Sequence, residues 1–203
     1  MRRMGVEGSE TRAQLIEATE RLLREQGYAA LTARQVAAKA GIKPQLLYYY
    51  FRTMDDLVLA VVRQIIAKRS GRFEQALLSP QPLRALWGMN SDPSGALLGS
   101  QLISLASHRE AIRAEIVRSA DQFRSVQIAA VSRLLDKYGV GNKTYSAAGI
   151  VMLMVGLGRA IVTESMLGVS VGHAQALELM EQTLQQIEGA KLPDTSPGLH
   201  RVR

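Results

Sequence analysis

Between Thr32 and Phe51 the chain reads TARQVAAKAGIKPQLLYYYF, and here amide, phenol and cationic side chains fall at intervals that suit contact with a nucleic acid. Gln45 can pair through its amide with the edge of an adenine, while the hydroxyls of Tyr48 and Tyr49 and the charges of Lys43 and Arg52 can reach bases or phosphates. Spacing decides whether such groups share a face. Val36, Ala37 and Ala40, then Ile42, Leu46, Leu47 and Tyr50, recur at helical intervals on either side of Gly41. This predicts two short helices with one small core. Gly41 sits at the turn, where a left-handed backbone is cheap only for glycine, and Pro44 marks the first turn of the second helix. With the apolar positions inward, the second helix must show Pro44, Gln45, Tyr48 and Tyr49 outward, flanked by Lys43 and Arg52. A helix-turn-helix lays such a face in a major groove. A helical hairpin within a core would have the same spacing, so spacing alone leaves both readings open.

Enzymatic chemistry leaves clusters of its own, and the sequence holds none. There is no Gly-Lys-Ser/Thr phosphate loop, no nucleophile elbow and no HExxH. Gly156-Leu157-Gly158 lacks a third glycine at the right place and lies within a predicted helix, so it is no dinucleotide loop. His108, His173 and His200 are scattered, and without cysteine there is no disulfide, thiolate metal site or thiol nucleophile. The expectation is a protein that is not an enzyme, with no catalytic residue, metal or cofactor. A rival reading, an enzyme acting on a hydrophobic substrate, would need a polar cluster in a pocket, and the sequence shows none.

The details around the turn are more specific than its spacing. Gly41 and Ile42, then Leu47 to Phe51, are preceded by Val36-Ala37-Ala38 and followed by Asp55-Asp56-Leu57. In this segment the chain resembles the TetR family of transcriptional regulators. The resemblance runs over about residues 9 to 69 and includes an amphipathic first helix, a stop at Gly27, a start at Thr32 and the LYYYF ending. Two positions depart from the family's pattern: Lys43 stands where a capping Ser or Thr is usual, and Met54 where a phosphate-reaching Lys is usual. The resemblance implies an all-α protein, a dimer through its last two helices, and a fourth helix that links a ligand pocket to the reading head.

Composition points the same way. Only 5% of the 203 residues are aromatic, and Ala, Leu, Gln, Arg and Glu dominate, so an all-α fold is expected, with 47% hydrophobic residues to fill its core. Net charge is +7 with a pI near 10.0, which suits a polyanionic partner. Residues 1 to 53 hold nine Lys and Arg against five acids, which places the surplus at the end that would read DNA. The N-terminus MRRMGVEGSE has no apolar stretch behind its arginines, so no signal peptide is read there. The longest uncharged apolar run, Ala147 to Gly158, is shorter than the ~20 residues that cross a bilayer. A cytoplasmic protein with no membrane partner is expected.

In chain order, Met1 to Gly8 is read as a loose arm, in which Arg2 and Arg3 could reach DNA. Ser9 or Thr11 would cap a first helix with Leu15, Ile16, Thr19, Leu22 and Leu23 inward. Thr32 would cap the second helix, whose N-terminal end favours an anion and makes Thr32 and Arg34 phosphate candidates. The DNA-binding candidates are therefore Thr32, Arg34, Lys43, Pro44, Gln45, Tyr48, Tyr49, Tyr50 and Arg52. Thr53 would cap a fourth helix carrying Leu57, Val58, Val61, Val62, Ile65 and Ile66.

Pro80-Gln81-Pro82 and Asp92-Pro93 bracket a short helix around Leu83 to Trp87, and another runs from Pro93 to about Ser107. A long helix spans Arg109 to Tyr138. Two more run from about Thr144 to Leu167 and from Ser170 or Val171 to about Ile187, before a tail from Lys191. The Ile150 to Leu157 stretch is apolar nearly all round and should be buried on more than one side. Gly149, Gly156, Ala160 and Thr163 leave a smooth strip for another helix. Ala176, Leu177, Leu179, Met180, Leu184 and Ile187 would face inward from the last helix.

Arg159 interrupts the most apolar helix, and a buried guanidinium must be paired. It would either anchor an acidic effector or bridge to an acid across a dimer, with the bridging role preferred. Trp87, Met89, Phe123, Met152 and Met154 could line an apolar pocket, although core filling explains each singly. Trp87, Met89, Phe123, Met152 and Arg159 are the candidate effector-binding residues.

The expected organisation is a DNA-binding domain at 9–69, an effector-binding and dimerisation domain at 70–190, and a tail at 191–203. The expected function is that of a dimeric regulator, a repressor released from an inverted-repeat operator by a small, largely apolar effector. The alternative is a helical small-molecule-binding protein whose helix-turn-helix no longer reads DNA.

Overall fold

Glycines and prolines punctuate the chain where the sequence predicts, and each apolar stripe between them forms a helix. The structure is a computed structural model that describes residues 10–140 and 145–192. All regular structure among them is helical: α1 Glu10–Gln26, a 3-10 turn Tyr28–Ala30, α2 Ala33–Ala40, α3 Pro44–Tyr50, α4 Met54–Leu77, α5 Pro82–Asn90, α6 Pro93–Ala106, α7 Glu110–Lys137, α8 Ala147–Met166 and α9 His173–Glu188. The arm with Arg2 and Arg3, the Ser9 cap, the Thr144 start and the tail from Pro193 lie outside the described residues. Thr11 is not a cap, because α1 already includes it.

Three apolar clusters organise these helices. The first packs Leu15, Ile16, Leu22 and Leu23 of α1 with Val36, Leu47 and Phe51, and it takes in Leu57 and Val61 of α4 and Leu98 of α6. A second joins Val58 and Val62 of α4 to Leu102, Leu105 and Ile112. The third holds Phe73 and Ala76 at the far end of α4 with Leu83, Leu86, Ala130, Val131, Leu135, Ile150, Val151, Met154, Met180 and Leu184. The fourth helix thus contributes to all three.

Helix ends are secured by side chains. Thr53 and Asp56 form a reciprocal capping box at the start of α4. Asp92 accepts from the amide of Ser94 at the start of α6. Helix α5 opens on Pro82 without a cap of its own; Glu188 at the end of α9 supplies one, accepting from the amides of Leu83 and Arg84 at 2.9 and 3.0 Å and from the Tyr138 hydroxyl at 2.9 Å. Burial, and then this carboxylate, push the Tyr138 hydroxyl up to about 12, so it remains a donor.

Several expectations need correction. Leu46 is 38% exposed: with Leu47 fully buried, the hundred-degree step of a helix turns its predecessor to the flank. Leu177 and Leu179 point outward, leaving Met180, Leu184 and Ile187 as the inward stripe of α9. Helix α8 starts at Ala147, capped by Ser146, and is buried on one side only: Met152 and Leu153 are 56% and 59% exposed. Arg159 is likewise exposed, so the premise that it is buried fails. Counting Arg159 and Glu164, α8 is long and apolar enough to cross a membrane by length and composition. In this fold, however, its Ile150, Val151, Met154 and Val162 side packs against α5, α6 and α7.

The glycine that brings helices close within the chain is Gly158. A Cβ there would lie 2.5 Å from the backbone oxygen of Asn90, which does not give way as a side-chain end would. Gly158→Ala should therefore cost about 1–3 kcal/mol through overpacking, despite the better helix propensity of alanine. Gly99 lies in α6 with nothing within 4 Å, and Gly99→Ala should stabilise by roughly 0.5–1 kcal/mol. Urea unfolding of both variants measures the contrast.

Glu20 is 5% exposed on the inward stripe of α1, four residues after Ile16 and three before Leu23. Its carboxylate accepts from Lys68 at 2.7 Å and Gln64 at 3.1 Å on α4, and from Arg24 at 3.0 Å. Burial opposes its ionisation, but Lys68, Arg24 and Gln64 outweigh that and hold it below the ordinary glutamate value. A lowered pKa stabilises the fold above the unfolded value, and the gain disappears as pH falls through the folded one. Glu20→Gln should cost about 1–2 kcal/mol near neutral pH, because both cations keep solvent access, and should flatten the loss of stability on the acid side. Urea melts at about pH 7 and about pH 4 test both effects.

Candidate nucleic-acid interface

The interface is built on the short helices α2 and α3, each with one side held by the apolar cluster around α1. Val36, Ala37 and Leu47 are fully buried, and Ile42 and Tyr50 lie half-buried against the same cluster. Gly41 adopts a left-handed conformation, φ +70°, and its amide returns to the carbonyls of Ala37 and Ala38. Phe51 closes α3 through its amide to the Leu47 carbonyl, and the Arg12 guanidinium of α1 stacks on its ring at 5.1 Å.

That frame turns the opposite face outward. Pro44, Gln45, Tyr48 and Tyr49 are exposed, the two tyrosines by 54% and 52%, and Lys43 and Arg52 flank them in solvent. Arg34, Lys43 and Arg52 make no ion pair among the described residues, whereas Lys39 is neutralised by Glu25 at 2.6 Å. Thr32 caps α2 by accepting from the amide of Gln35, and its hydroxyl donates to the Gln35 side chain at 3.1 Å. Tyr50 differs from its neighbours: half-buried, it meets Tyr49 edge to face at 5.1 Å and steadies that ring from behind. The structure thus brings Lys43, Pro44, Gln45, Tyr48, Tyr49 and Arg52 onto one surface, with Thr32 and Arg34 at the start of α2.

Both departures from the family's pattern have a local explanation. Lys43 precedes α3 in an extended conformation and makes no side-chain cap, but Pro44 in the first turn removes one amide that would need a partner. Met54 packs half-buried against the apolar cluster of the reading head. Leu46, expected inward from its spacing, stands exposed beside Gln45, where it suits apolar contact with a thymine methyl.

Polar ties join this head to the helices behind it. Arg109, just before α7, lies over the Tyr28 ring at 5.2 Å, donates to the Tyr28 hydroxyl and pairs with Asp55 in the first turn of α4. The Gln101 side chain of α6 accepts from the Tyr28 amide at 3.2 Å, and Arg24 donates to the Ser94 carbonyl at 3.1 Å. Sequence reasoning read Arg109 only as a helix start. Its role has no periodic signal, since it depends on a contact 81 residues distant.

The candidate effector residues are less united. Trp87, Met89 and Phe123 pack half-buried on the third cluster, whereas Met152 and Arg159 are exposed on α8. Met89 borders a shallow groove between α4 and α5, and Met154 lines a narrow cleft with Phe73, Leu86, Asn90, Gln127, Val131 and Val151. No cluster of three or more His, Asp or Glu that could hold a metal occurs among the described residues.

Residues 15–61 match the family model for bacterial regulatory proteins of the tetR family. Over 68 residues the chain is 32% identical to the HTH-type transcriptional regulator BetI of Rhizobium meliloti, covering 34% of this chain and 33% of that protein. Over 62 residues it is 39% identical to the HTH-type transcriptional regulator TtgR of Pseudomonas putida, 30% of each chain. The alignable part is thus about a third of the length of these relatives. A TetR transcription regulator from Haloarcula marismortui superposes with a TM-score of 0.67 at 21% identity, over 89% of this chain and 97% of its own. A chain from Saccharomonospora viridis, solved in complex with choline, does so with a TM-score of 0.68 at 16% identity, over 88% and 95%. At such identities these structures speak for the fold. The domain built around residues 15–61 is a helix-turn-helix DNA-binding domain of the kind found in the tetR family of bacterial regulatory proteins.

Proposed function

We propose that the protein is a cytoplasmic, homodimeric, one-component repressor that binds an inverted-repeat operator and leaves it when a small molecule binds. The observation that carries this reading is the outward face of α3, on which Gln45, Tyr48 and Tyr49 stand in solvent beside Lys43 and Arg52, which make no ion pair among the described residues. Residues 9–69 form the reading head and 70–190 the effector-binding and dimerisation part, with α4 passing between them.

Dimerisation is supported by the open faces of α8 and α9. Gly149, Met152, Leu153, Gly156, Ala160 and Thr163 are exposed along α8, and Leu177 and Leu179 along α9. Apolar surface of this kind, with small residues that admit a close helix, suits a four-helix interface between two copies. Paired heads then enter successive major grooves ~34–36 Å apart. An effector acts by preferring the released arrangement, and the ties from Arg109, Gln101 and Arg24 carry the change to α1 and α4.

Selection of bound duplexes from random DNA should return an inverted repeat, with affinity falling steeply as salt rises. Gln45→Ala or Tyr49→Ala should cost about 1–3 kcal/mol of preference for that sequence, whereas Lys43→Ala should weaken all sequences alike and reduce the salt slope by about one. Recovery of no preferred duplex would leave the alternative, a helical binding protein that does not read DNA. For the dimer, Leu153→Glu should give a helical monomer by light scattering and lower operator affinity at least tenfold; a dimer unaffected by that charge would remove α8 from the interface.

A further inference from the structure

Beside the narrow cleft, α4, α7 and α8 bring three arginines together without an acid. Arg69 of α4 lies over the Phe123 ring at 4.8 Å, and Arg124, the next residue of α7, donates to the Met152 sulfur on α8. Arg159 follows Met152 by two helical turns on the same side of α8. None of the three has a carboxylate partner among the described residues, whereas neighbouring Arg72 is held by Asp92 at 2.8 Å. Desolvation against its packed neighbours, then the charges of Arg124, Arg159 and Arg72, lower the Arg69 pKa, which marks these guanidiniums as close enough to repel one another. A carboxylate placed among them removes that repulsion and gains the forked hydrogen bonds that guanidinium groups make.

The surroundings favour an acid with an apolar body. Phe123 and Met152 border the arginines, and Met adapts to ligands of varied shape. Phe123 stands edge to face with Phe73 at 5.3 Å, and Phe73 lines the cleft together with Gln127 and Met154. Gln127 is 3% exposed there and supplies a polar side chain to the wall of the cleft. The cleft has room for about one water molecule, so a longer body must part α7 from α8 as it enters.

We propose that Arg69, Arg124 and Arg159 bind the carboxylate of an apolar monocarboxylic acid whose hydrocarbon part lies on Phe123 and Met152 and runs toward Gln127. Binding stands on this geometry alone; only its consequence, release of DNA, rests on the proposed function.

Calorimetric titration of the full-length protein with octanoate and 1-naphthoate, against octanamide, 1-naphthamide, acetate and octyl phosphate, tests the assignment. Octanoate or naphthoate should bind at least tenfold more tightly than its amide and than acetate. Arg69→Ala, Arg124→Ala and Arg159→Ala should each weaken it roughly ten- to a hundredfold, with Arg124→Lys recovering part of the loss. Circular dichroism should show all variants folded. Equal affinity for acid and amide, no binding of either acid, or tighter binding of octyl phosphate would overturn the assignment. It would also fail if Arg159→Ala dissociated the protein without changing acid affinity, since that charge would then serve a second copy of the chain. Were the acid to bind as expected and leave DNA affinity unchanged, the site would stand and the release mechanism would fall.

Discussion

One helix shared by three apolar cores is the constraint on which the rest of the structure depends. Over its 24 residues α4 gives Leu57 and Val61 to the reading head, Val58 and Val62 to the packing of α6 and α7, and Phe73 and Ala76 to the core around α8 and α9. Close-packed interiors resist continuous deformation, so α4 cannot tilt at one end without repacking at the other. The same property that stabilises the fold ties the packing beneath α3 to the packing some twenty residues along the helix.

Polar contacts sharpen that dependence. Glu20 binds α1 to Gln64 and Lys68 of α4, Arg109 grips both Tyr28 and Asp55, and Arg63 reaches Glu115 on α7 at 3.0 Å. Hydrophobic burial is nondirectional, whereas these bonds require particular distances and angles, so they select one seat for the reading head among those that the apolar clusters allow. At the far end Glu188 does comparable work, holding the start of α5 and the Tyr138 hydroxyl from the last turn of α9.

The outer face of α8 shows the opposite situation. Its inward residues are closely packed, with Gly158 against the backbone of Asn90, while Met152, Leu153 and Leu179 remain in solvent. Exposed apolar surface is costly to leave uncovered, and arginines without a carboxylate partner among the described residues lie beside it. The proposed second copy and the proposed acid would each cover part of this surface.

Much of this was legible in the sequence because it is local. The turn at Gly41, the caps at Thr32, Thr53 and Asp92, the stop at Gly27 and the outward set Pro44, Gln45, Tyr48 and Tyr49 all follow from backbone preference and helical period, which a few neighbouring residues determine. The burial of Glu20 and its ties to Gln64 and Lys68 were not read from the sequence. Tertiary structure alone decided that Leu46 and Leu177 face outward, that Arg159 is exposed rather than buried, that Gly158 is the close-approach glycine, and that Arg109 and Glu188 act on helices far away in the chain. Those outcomes depend on which helix lies opposite a given residue, and a one-dimensional pattern holds no record of contacts made across dozens of residues.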